Sequence, residues 1–597
     1  MSQPPAAISN PALPARPRFR FGLLVVLVLA ILLPIVPYVA KVDHYVLNIL
    51  MQAATYGVAV LGMTVVLGYT GQINLAQGAF FGFGAYAVAL GTVAYGLSFW
   101  VSLLLGIVIA GVAGFVLGLT TLRLGGHYLA MITISFQQIF DLVMVNWADV
   151  TRGPDGVAGI QRPSLFGYEL SDDRAYLAFC AVVLYLMLFL VWRLPHTRLG
   201  RAMRAVRENE MAAEVTGVPT LKVKVIAFTL CAALGGVGGA LYAAGFAYVS
   251  PDNFNFRVAI DFLTMALLGG AQSPFGSALG TMMLILLPEW LRFLKEIYLA
   301  AYGLAVILIM VFMPEGIWGI AAAAWRRAFG RAQPIYASVP PLVLDVPAQG
   351  ESTMLKLSNV SKHFGGVKAV DGIDIDVARG TVHALIGPNG SGKTTTLNVL
   401  NGILRPTAGS ILLDGRDISH ASPHARAAQG LGRTFQNIRL FPAMSALENV
   451  MVGAQRENNP IPGGDAALRE RALAALAFVG LADRAQVVVK SLPYGHQRMV
   501  EIARALAGHP KLLLLDEPAA GLNSTEKGEL VQLLKRLRGH GLTIFLIEHD
   551  MALIEQVSDR ISVLNFGRKI ADGAPQEVLR HPEVVKAYLG ESAHAAA

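Results

Sequence analysis

The stretch from Val382 to Leu400, VHALIGPNGSGKTTTLNVL, gathers residues whose types and spacing suit phosphate chemistry. Gly387, Gly390 and Gly392 let backbone N–H groups wrap closely around phosphate oxygens. Pro388, Asn389 and Ser391 complete the turn, and a helix-compatible segment from Lys393 adds its positive end at the same spot. Lys393 can reach β- and γ-phosphates and the Thr394 hydroxyl can hold Mg²⁺, with Thr395 next on the first helical turn. A bare G-x-x-x-x-G-K-[ST] match also fits an ordinary Gly-rich turn. Here the apolar run Val382 to Ile386 reads as a buried strand before the turn, and a helix follows it, so the segment reads as a site for ATP or GTP.

Other reactive residues follow in order. The apolar strand Lys511 to Leu515 ends in Asp516 and Glu517. An acid at such a strand end can hold Mg²⁺, directly or through water. The next acid can orient and deprotonate an attacking water. Asp516 is therefore the metal candidate and Glu517 the general base. A second strand, Thr543 to Ile547, ends in Glu548, His549 and Asp550, which puts an imidazole within reach of a γ-phosphate. A lone histidine is more often structural, but its place beyond a strand's carboxyl end favours the catalytic reading. Gln436, after LGRTF, can sense Mg²⁺ and water, and Phe364 can stack on adenine.

The elements that must position these residues form a divided chain. At 597 residues it exceeds one core, and 54% apolar with 15% charged residues is unusual for a soluble protein. Before about residue 325 long apolar runs dominate; after 354 the charge density looks soluble. Residues 1–20 are Pro- and Ala-rich and expected to be disordered. Residues 21–325 read as a membrane domain, 326–353 as a partly extended, Pro-containing tether, and 354–597 as an independent soluble domain. Phe21 to Ala40 reads as a retained span, since no small-residue cleavage pattern follows it. Further spans are expected at 44–67, 72–95, 98–122, 126–147, 175–194, 223–249, 258–271, 276–294 and 298–320, about ten in all. The fold class is thus an all-α polytopic membrane domain followed by an α/β phosphate-loop domain.

The net charge of +8 sits in basic clusters beside apolar runs, which suits membrane orientation and contact with lipid rather than nucleic acid. Arg16, Arg18 and Arg20, the arginines of the loop 193–207, and Arg326, Arg327 and Arg331 place the N-terminus and the ATP-binding end in the cytoplasm. Cys180 and Cys231 lie in apolar runs and allow neither a disulfide framework nor a zinc spacing. Gln72, Asn74, Gln77, Gln137, Gln138 and Asp141 interrupt apolar spans, and either line a solute pathway or bond between helices. Gly235, Gly236, Gly238 and Gly239 allow close helix packing. The basic loop Pro195 to Lys222 reads as one short helix from Gly200 to Val215 with a Gly217 stop. It can dock on a soluble partner or lie on anionic lipid.

Residues 354 to 597 resemble an ABC-transporter ATPase, with its parts in family order. The resemblance makes Phe364 the adenine-stacking residue, Gln436 the Q-loop and His549 the switch histidine. It places the signature, usually LSGGQ, at Leu492, Pro493, Tyr494, Gly495 and His496. Pro493 stands where the family has a serine that bonds the opposing nucleotide, and His496 where it has glutamine. The implied partner is therefore a second ATPase with an intact signature. MAAEVTG resembles the EAA coupling loop of ABC importer permeases through Ala212, Ala213 and Gly217, with Met211 where Glu is usual.

LGYTGQINLAQGAFFGFGAY, LRLGGHYLAMITISF, TRGPDGVAGI and the stretch from GGALYA to LLGG resemble the permease of branched-chain amino-acid importers. AAGLNSTE and the terminal AYLGE resemble the same system's ATP-binding protein. The resemblance implies a permease fused to its ATPase, in a bacterial inner membrane, using ATP and Mg²⁺. It also implies a second permease and an extracytoplasmic solute-binding protein. Solutes across such relatives include leucine-like amino acids, urea and amides, or aromatic acids. An exporter or lipid flippase and an ATP-gated channel are the readings from other classes; MAAEVTG argues against an exporter.

Overall fold

The structure is a computed structural model that describes residues 43–121, 127–165, 167–291, 293, 297, 303–304, 306–308, 311–313, 316–329, 339, 341–342, 344, 352–455 and 464–589. The expected disordered tail 1–20, its arginines, the span Phe21 to Ala40, Arg331, part of the expected 298–320 span and most of the tether lie outside them. The chain divides into two units: Met1–Gly68, Gln72–Leu194 and Val225–Phe329 form one, and Tyr69–Gly71, Pro195–Lys224 and Gly330–Ala597 the other.

The first unit is helical. Helix α1 (His44–Met63) runs into a π-helical turn, Thr64–Tyr69. Then come α2 (Gln77–Val93), α3 (Phe99–Thr121), α4 (His127–Asn146) and α5 (Asp173–Arg193). Five described helices are long and apolar enough to cross a membrane: His44–Tyr69, Phe99–Thr121, Tyr128–Asn146, Asp173–His196 and Thr220–Phe246. On α3, Leu104, Val108 and Val112 are more than half exposed, an outer face suited to hydrocarbon. The expected span 72–95 is shorter than read, because residues 71–76 are not helical. Two pairs of two-residue strands, Val157–Ala158 with Tyr248–Val249 and Ser164–Leu165 with Tyr168–Glu169, also occur in this unit.

The basic loop forms two helices rather than one: α6 (Arg198–Glu208) and α7 (Glu210–Val215). Asn209 breaks them, because its extended backbone lets its side chain accept from Ala212 N and cap the second helix. Gly217 at φ +104° ends the motif in a conformation that favours glycine. Helix α8 (Thr220–Phe246) follows, with α9 (Phe256–Gly269), α10 (Pro274–Trp290) and α11 (Gly316–Phe329). Helix α11 continues past residue 325, where the membrane domain was expected to end. A Cβ on Gly84 would lie 2.0 Å from the Gly236 carbonyl oxygen, and one on Gly239 would lie 1.8 Å from that of Phe81. The α2 and α8 backbones therefore touch, as small residues permit.

The second unit holds two sheets. Strands β1 (Thr353–Phe364), β2 (Val367–Ala378) and β4 (Ala408–Leu413) belong to an antiparallel sheet in the order β2-β1-β4, with Arg416–Asp417 at its edge. The six-stranded sheet contains β3 (Val382–Ile386), β5 (Leu431–Arg433), β6 (Leu512–Asp516), β7 (Thr543–Ile547), β8 (Arg560–Asn565) and β9 (Arg568–Gly573). Its order is β5-β6-β7-β3-β8-β9, parallel except for β9. Strands β3, β6 and β7 are buried along their whole length, which is why they read as continuous apolar runs. From Thr353 onwards the longer helices are α12 (Lys393–Asn401), α13 (Ala446–Ala454), α14 (Gly464–Phe478), α15 (Tyr494–Ala507) and α16 (Ser524–Gly539). Val339, Leu342 and Leu344 of the expected tether pack on the core formed by these helices. Their apolar side chains gain by burial, so these three positions do not hang free.

Candidate functional site

Five parallel strands of the second unit deliver their carboxyl ends to one edge of the sheet, where open α/β sheets bind ligands. Strand β3 leads into the glycine turn. Gly387, Gly390 and Gly392 all have positive φ, and Gly392 caps α12. Lys393 Nζ donates to the Gly387 and Pro388 carbonyl oxygens at 2.7 and 3.0 Å. Burial lowers the Lys393 pKa, against the pull of Glu517 and Asp516. Thr394 is exposed, Thr395 half-buried, and the Ser391 hydroxyl is buried without a partner. At the end of α12 away from the loop, the buried Arg426 guanidinium donates to the Val399, Leu400, Ser419 and Ala421 carbonyls at 2.6 to 3.0 Å. It caps the far end of α12, a role invisible in the sequence.

Strand β6 ends in Asp516, which is buried. Burial raises its carboxyl pKa, the Arg433 guanidinium opposes this, and Glu517 adds to it. Arg433 lies 3.4 Å from Oδ2, whereas Oδ1 is buried without a partner. The unpartnered Asp516 Oδ1, together with the exposed Thr394 at the start of α12, fits a hard divalent cation. Among the described residues no group of three or more His, Cys, Asp and Glu gathers to hold a metal ion, here or elsewhere.

Glu517 stands at φ +45°, a sparsely populated region for a residue with a side chain, and its N–H donates to the Ile547 carbonyl at 2.9 Å. Gln436 Nε2 donates to Glu517 Oε2 at 2.9 Å, and His549 Nδ1 lies 3.6 Å from the same oxygen. Three residues far apart in sequence thus meet on one carboxylate. The buried Glu548 accepts from Ala519 N and His549 N, which fixes the turn that carries the imidazole. Phe364, at the end of β1, is exposed, with Lys362 Nζ 5.1 Å from its ring centroid.

Sequence reasoning missed Arg498. This fully buried side chain donates to the Phe435 carbonyl at 2.5 Å and the Gln436 carbonyl at 2.7 Å, and to Glu501 Oε2 at 2.8 Å. Burial pushes Glu501 up, while Arg504 and Arg498 hold its charge. Arg498 ties α15, whose start carries Tyr494, Gly495 and His496, to the segment bearing Gln436. Leu492 is buried, and Pro493 caps α15 without a side-chain hydrogen bond. A Cβ on Gly495 would lie 2.2 Å from Glu526 Oε1, and His496 Nδ1 accepts from Arg484 Nη1 at 2.9 Å. Only the helical position of Arg498 behind LPYGH hinted at its place.

The two-helix segment meets the region that follows Gln436. Arg204 Nη2 donates to Glu448 Oε1 at 2.8 Å, Glu208 Oε2 accepts from Ala443 N at 3.3 Å, and Gln455 Nε2 donates to the Arg198 carbonyl at 2.8 Å. Arg201 pairs with Asp465. Burial pushes the Glu448 carboxyl up, but Arg204 and Ser445 outweigh it and hold the pKa low. Ala212 and Ala213 are fully buried, and Met211 is exposed. Of the polar residues expected in a pathway, Gln77 bonds the Ala59 and Cys231 carbonyls, and Gln137 bonds Ala79 N, Asp141 and the Phe254 carbonyl. Asn74 bonds Gln77 and Ala76 N. Gln77 and Gln137 serve interhelical bonding, these two Asn74 bonds are local, Gln138 is exposed, and both buried side-chain amide atoms of Gln72 lack a partner.

Comparison with known proteins bears on both units. The model of the branched-chain amino acid transport system permease component matches residues 45–314, and that of the ABC transporter matches residues 370–520. A branched-chain amino acid ATP-binding cassette transporter model matches residues 568–594. The high-affinity branched-chain amino acid transport ATP-binding protein BraF of Pseudomonas aeruginosa is 43% identical over 251 residues, 40% of this chain and 98% of that protein. The chain belongs to the branched-chain amino acid ABC transporter family. Its membrane half is similar to the permease protein LivM of Escherichia coli, 34% identical over 318 residues, 49% of this chain and 74% of that protein. A nucleotide-free ATP-binding cassette from an ABC transporter superposes with a TM-score of 0.37 at 32% identity, covering 40% of this chain and all of that one. This family member is therefore a multi-pass membrane protein that carries permease and ATP-hydrolysing cassette in one polypeptide.

Proposed function

We propose that the chain is one fused half of an importer that couples ATP hydrolysis to uptake of branched-chain amino acids or similar small solutes. In this reading the phosphate loop from Gly387 to Thr395 cradles the nucleotide phosphates, and Phe364 stacks on adenine. Thr394, Gln436 and Asp516 would hold Mg²⁺, which would supply neutralising charge on the phosphate oxygens. Glu517 takes a proton from the attacking water, Gln436 orients that water, and His549 steadies the γ-phosphate for in-line displacement. ATP binding closes two cassettes, and Ala212, Ala213 and Gly217 with their flanking helices carry that motion to the membrane helices.

A second permease, a second ATPase and an extracytoplasmic binding protein complete the assembly, with the N-terminus and cassette facing the cytoplasm of a bacterial inner membrane. Because Pro493 brings no hydroxyl and His496 replaces an amide, the partner ATPase supplies the intact signature.

The observation that carries this reading is the pairing of Arg204 with Glu448 and of Glu208 with Ala443 N, next to the segment bearing Gln436. It offers a mechanical route from nucleotide to permease. The test is ATP-driven uptake in membrane vesicles. Lys393→Ala should abolish it while leaving insertion intact, and normal uptake would remove the phosphate-loop assignment. Competing solutes added to the wild type (leucine, urea, an aromatic acid) separate the substrate classes.

A further inference from the structure

Helix α9 carries two opposite charges on an outward face of the membrane unit. Arg257, Ile260, Asp261, Thr264 and Leu267 recur at helical spacing and are all exposed or half-exposed, whereas Ala259, Phe262, Met265 and Ala266 are buried. Among the described residues neither Arg257 nor Asp261 closes an ion pair within 4.0 Å, although they stand one turn apart. Thr264 spends its hydroxyl on the Ile260 carbonyl at 2.9 Å.

The depth of this face follows from its neighbours. The Phe262 ring meets the Tyr56 ring edge-on at 5.0 Å between centroids. A Cβ on Gly68 would lie 1.9 Å from the Ala271 carbonyl oxygen. Helix α9 therefore runs alongside the second half of His44–Tyr69 in the same direction. Tyr56 lies about 18 Å along that helix at 1.5 Å per residue. Asp261 sits beside the middle of a membrane-length helix, and Arg257 one turn nearer its start. Unpaired charges at such a level face a partner or an aqueous path rather than lipid.

We propose that Arg257 and Asp261 form a subsite for a zwitterionic amino acid on its way through the membrane. The guanidinium takes the α-carboxylate through its forked donors, and the Asp261 carboxylate takes the α-ammonium. Ile260 and Leu267, 42% and 36% exposed on the same face, offer apolar surface to an aliphatic side chain. Opposite charges that feel each other's field yet close no direct ion pair leave a zwitterion to bridge them. That offsets the cost of drying both, whereas a solute with one charge would leave one of them unpaired. A neutral solute such as urea would leave both.

This assignment rests on the uptake reading above. The test uses the full chain together with its partner subunits in membrane vesicles, with ATP-driven leucine uptake as the readout. Asp261→Asn and Arg257→Gln should each raise the KM for leucine tenfold or more, with basal ATP hydrolysis and co-purification of the second permease unchanged. In the wild type, 4-methylpentanoate, which lacks the ammonium, should compete far more weakly than leucine; in Asp261→Asn that preference should shrink at least tenfold. Asp261→Glu should restore most of the preference and shows that insertion is not the cause.

A KM within twofold of wild type in both variants overturns the subsite. So does loss of the second permease on purification, which would assign the two charges to that interface. If wild-type vesicles accumulate no zwitterionic solute, the uptake reading falls and takes the subsite with it. If they do and the variants are unaltered, the subsite alone falls.

Discussion

Glu517 shows how a single carboxylate is readied. The end of β6 places it, a left-handed backbone turns it, and Gln436 and His549 meet at its Oε2. In the proposed mechanism, replacing it with Gln keeps the shape and removes the base. Glu517→Gln should slow hydrolysis by about 10²–10⁴-fold and leave ATP trapped, measured as retained labelled nucleotide after single turnover. Arg498 matters differently, since it holds two carbonyls of the segment ending at Gln436 and shares a buried pair with Glu501. Arg498→Met leaves a buried carboxylate short of its partner and should cost about 3–5 kcal/mol. The check is a lower denaturant midpoint for loss of ATP binding by the full chain.

Elements decide what those residues can transmit. Helix α6 reaches the region after Gln436 through Arg204 and Glu208, and Glu448 is also the third residue of α13, where it closes a capping box with Ser445. Arg204→Ala should therefore uncouple: uptake should fall severalfold while hydrolysis stays within about twofold, as a pair partly open to solvent is worth only ~1 kcal/mol or less. Equal losses of both activities would place Arg204 in the cassette's own stability instead.

Strand β3 supplies a pH-dependent element. His383 is buried, stacks on Phe545 and bonds Ser562 Oγ at 2.9 Å, and burial pushes its pKa down to about 4. Above pH 6.5 the ring is neutral folded or unfolded, so its contribution is intact. As pH falls from 6.5 towards 4 the unfolded chain takes a proton that the folded strand refuses, and stability is lost, at most ~1.4 kcal/mol per pH unit. Amide protection of β3 should drop between pH 7 and 5 in the wild type and less in His383→Gln. Parallel curves for the two would remove this origin.

At the scale of the whole molecule, the departures at Pro493 and His496 make a prediction about assembly. The chain purified alone should hydrolyse ATP slowly, and addition of a partner cassette with an intact signature should raise the rate about tenfold or more. Rapid hydrolysis at two equivalent sites in the chain alone would contradict this.

The sequence by itself determined the elements whose signal is local. The strands Val382–Ile386 and Thr543–Ile547 and the helix start at Lys393 came out at their residues, since a fully buried strand must be apolar throughout and a phosphate turn must be glycine-rich. Membrane-length apolar runs such as Phe99–Thr121 were legible for the same reason. Only the tertiary structure decided which polar groups meet. Gln77 and Gln137 turned out to bond between helices, the basic loop broke at Asn209, and Arg498, Arg426 and Arg433 gained structural roles. A polar side chain declares its chemistry in the sequence but not its partner. The partner is chosen when distant segments are buried together and every polar group left from water must find one.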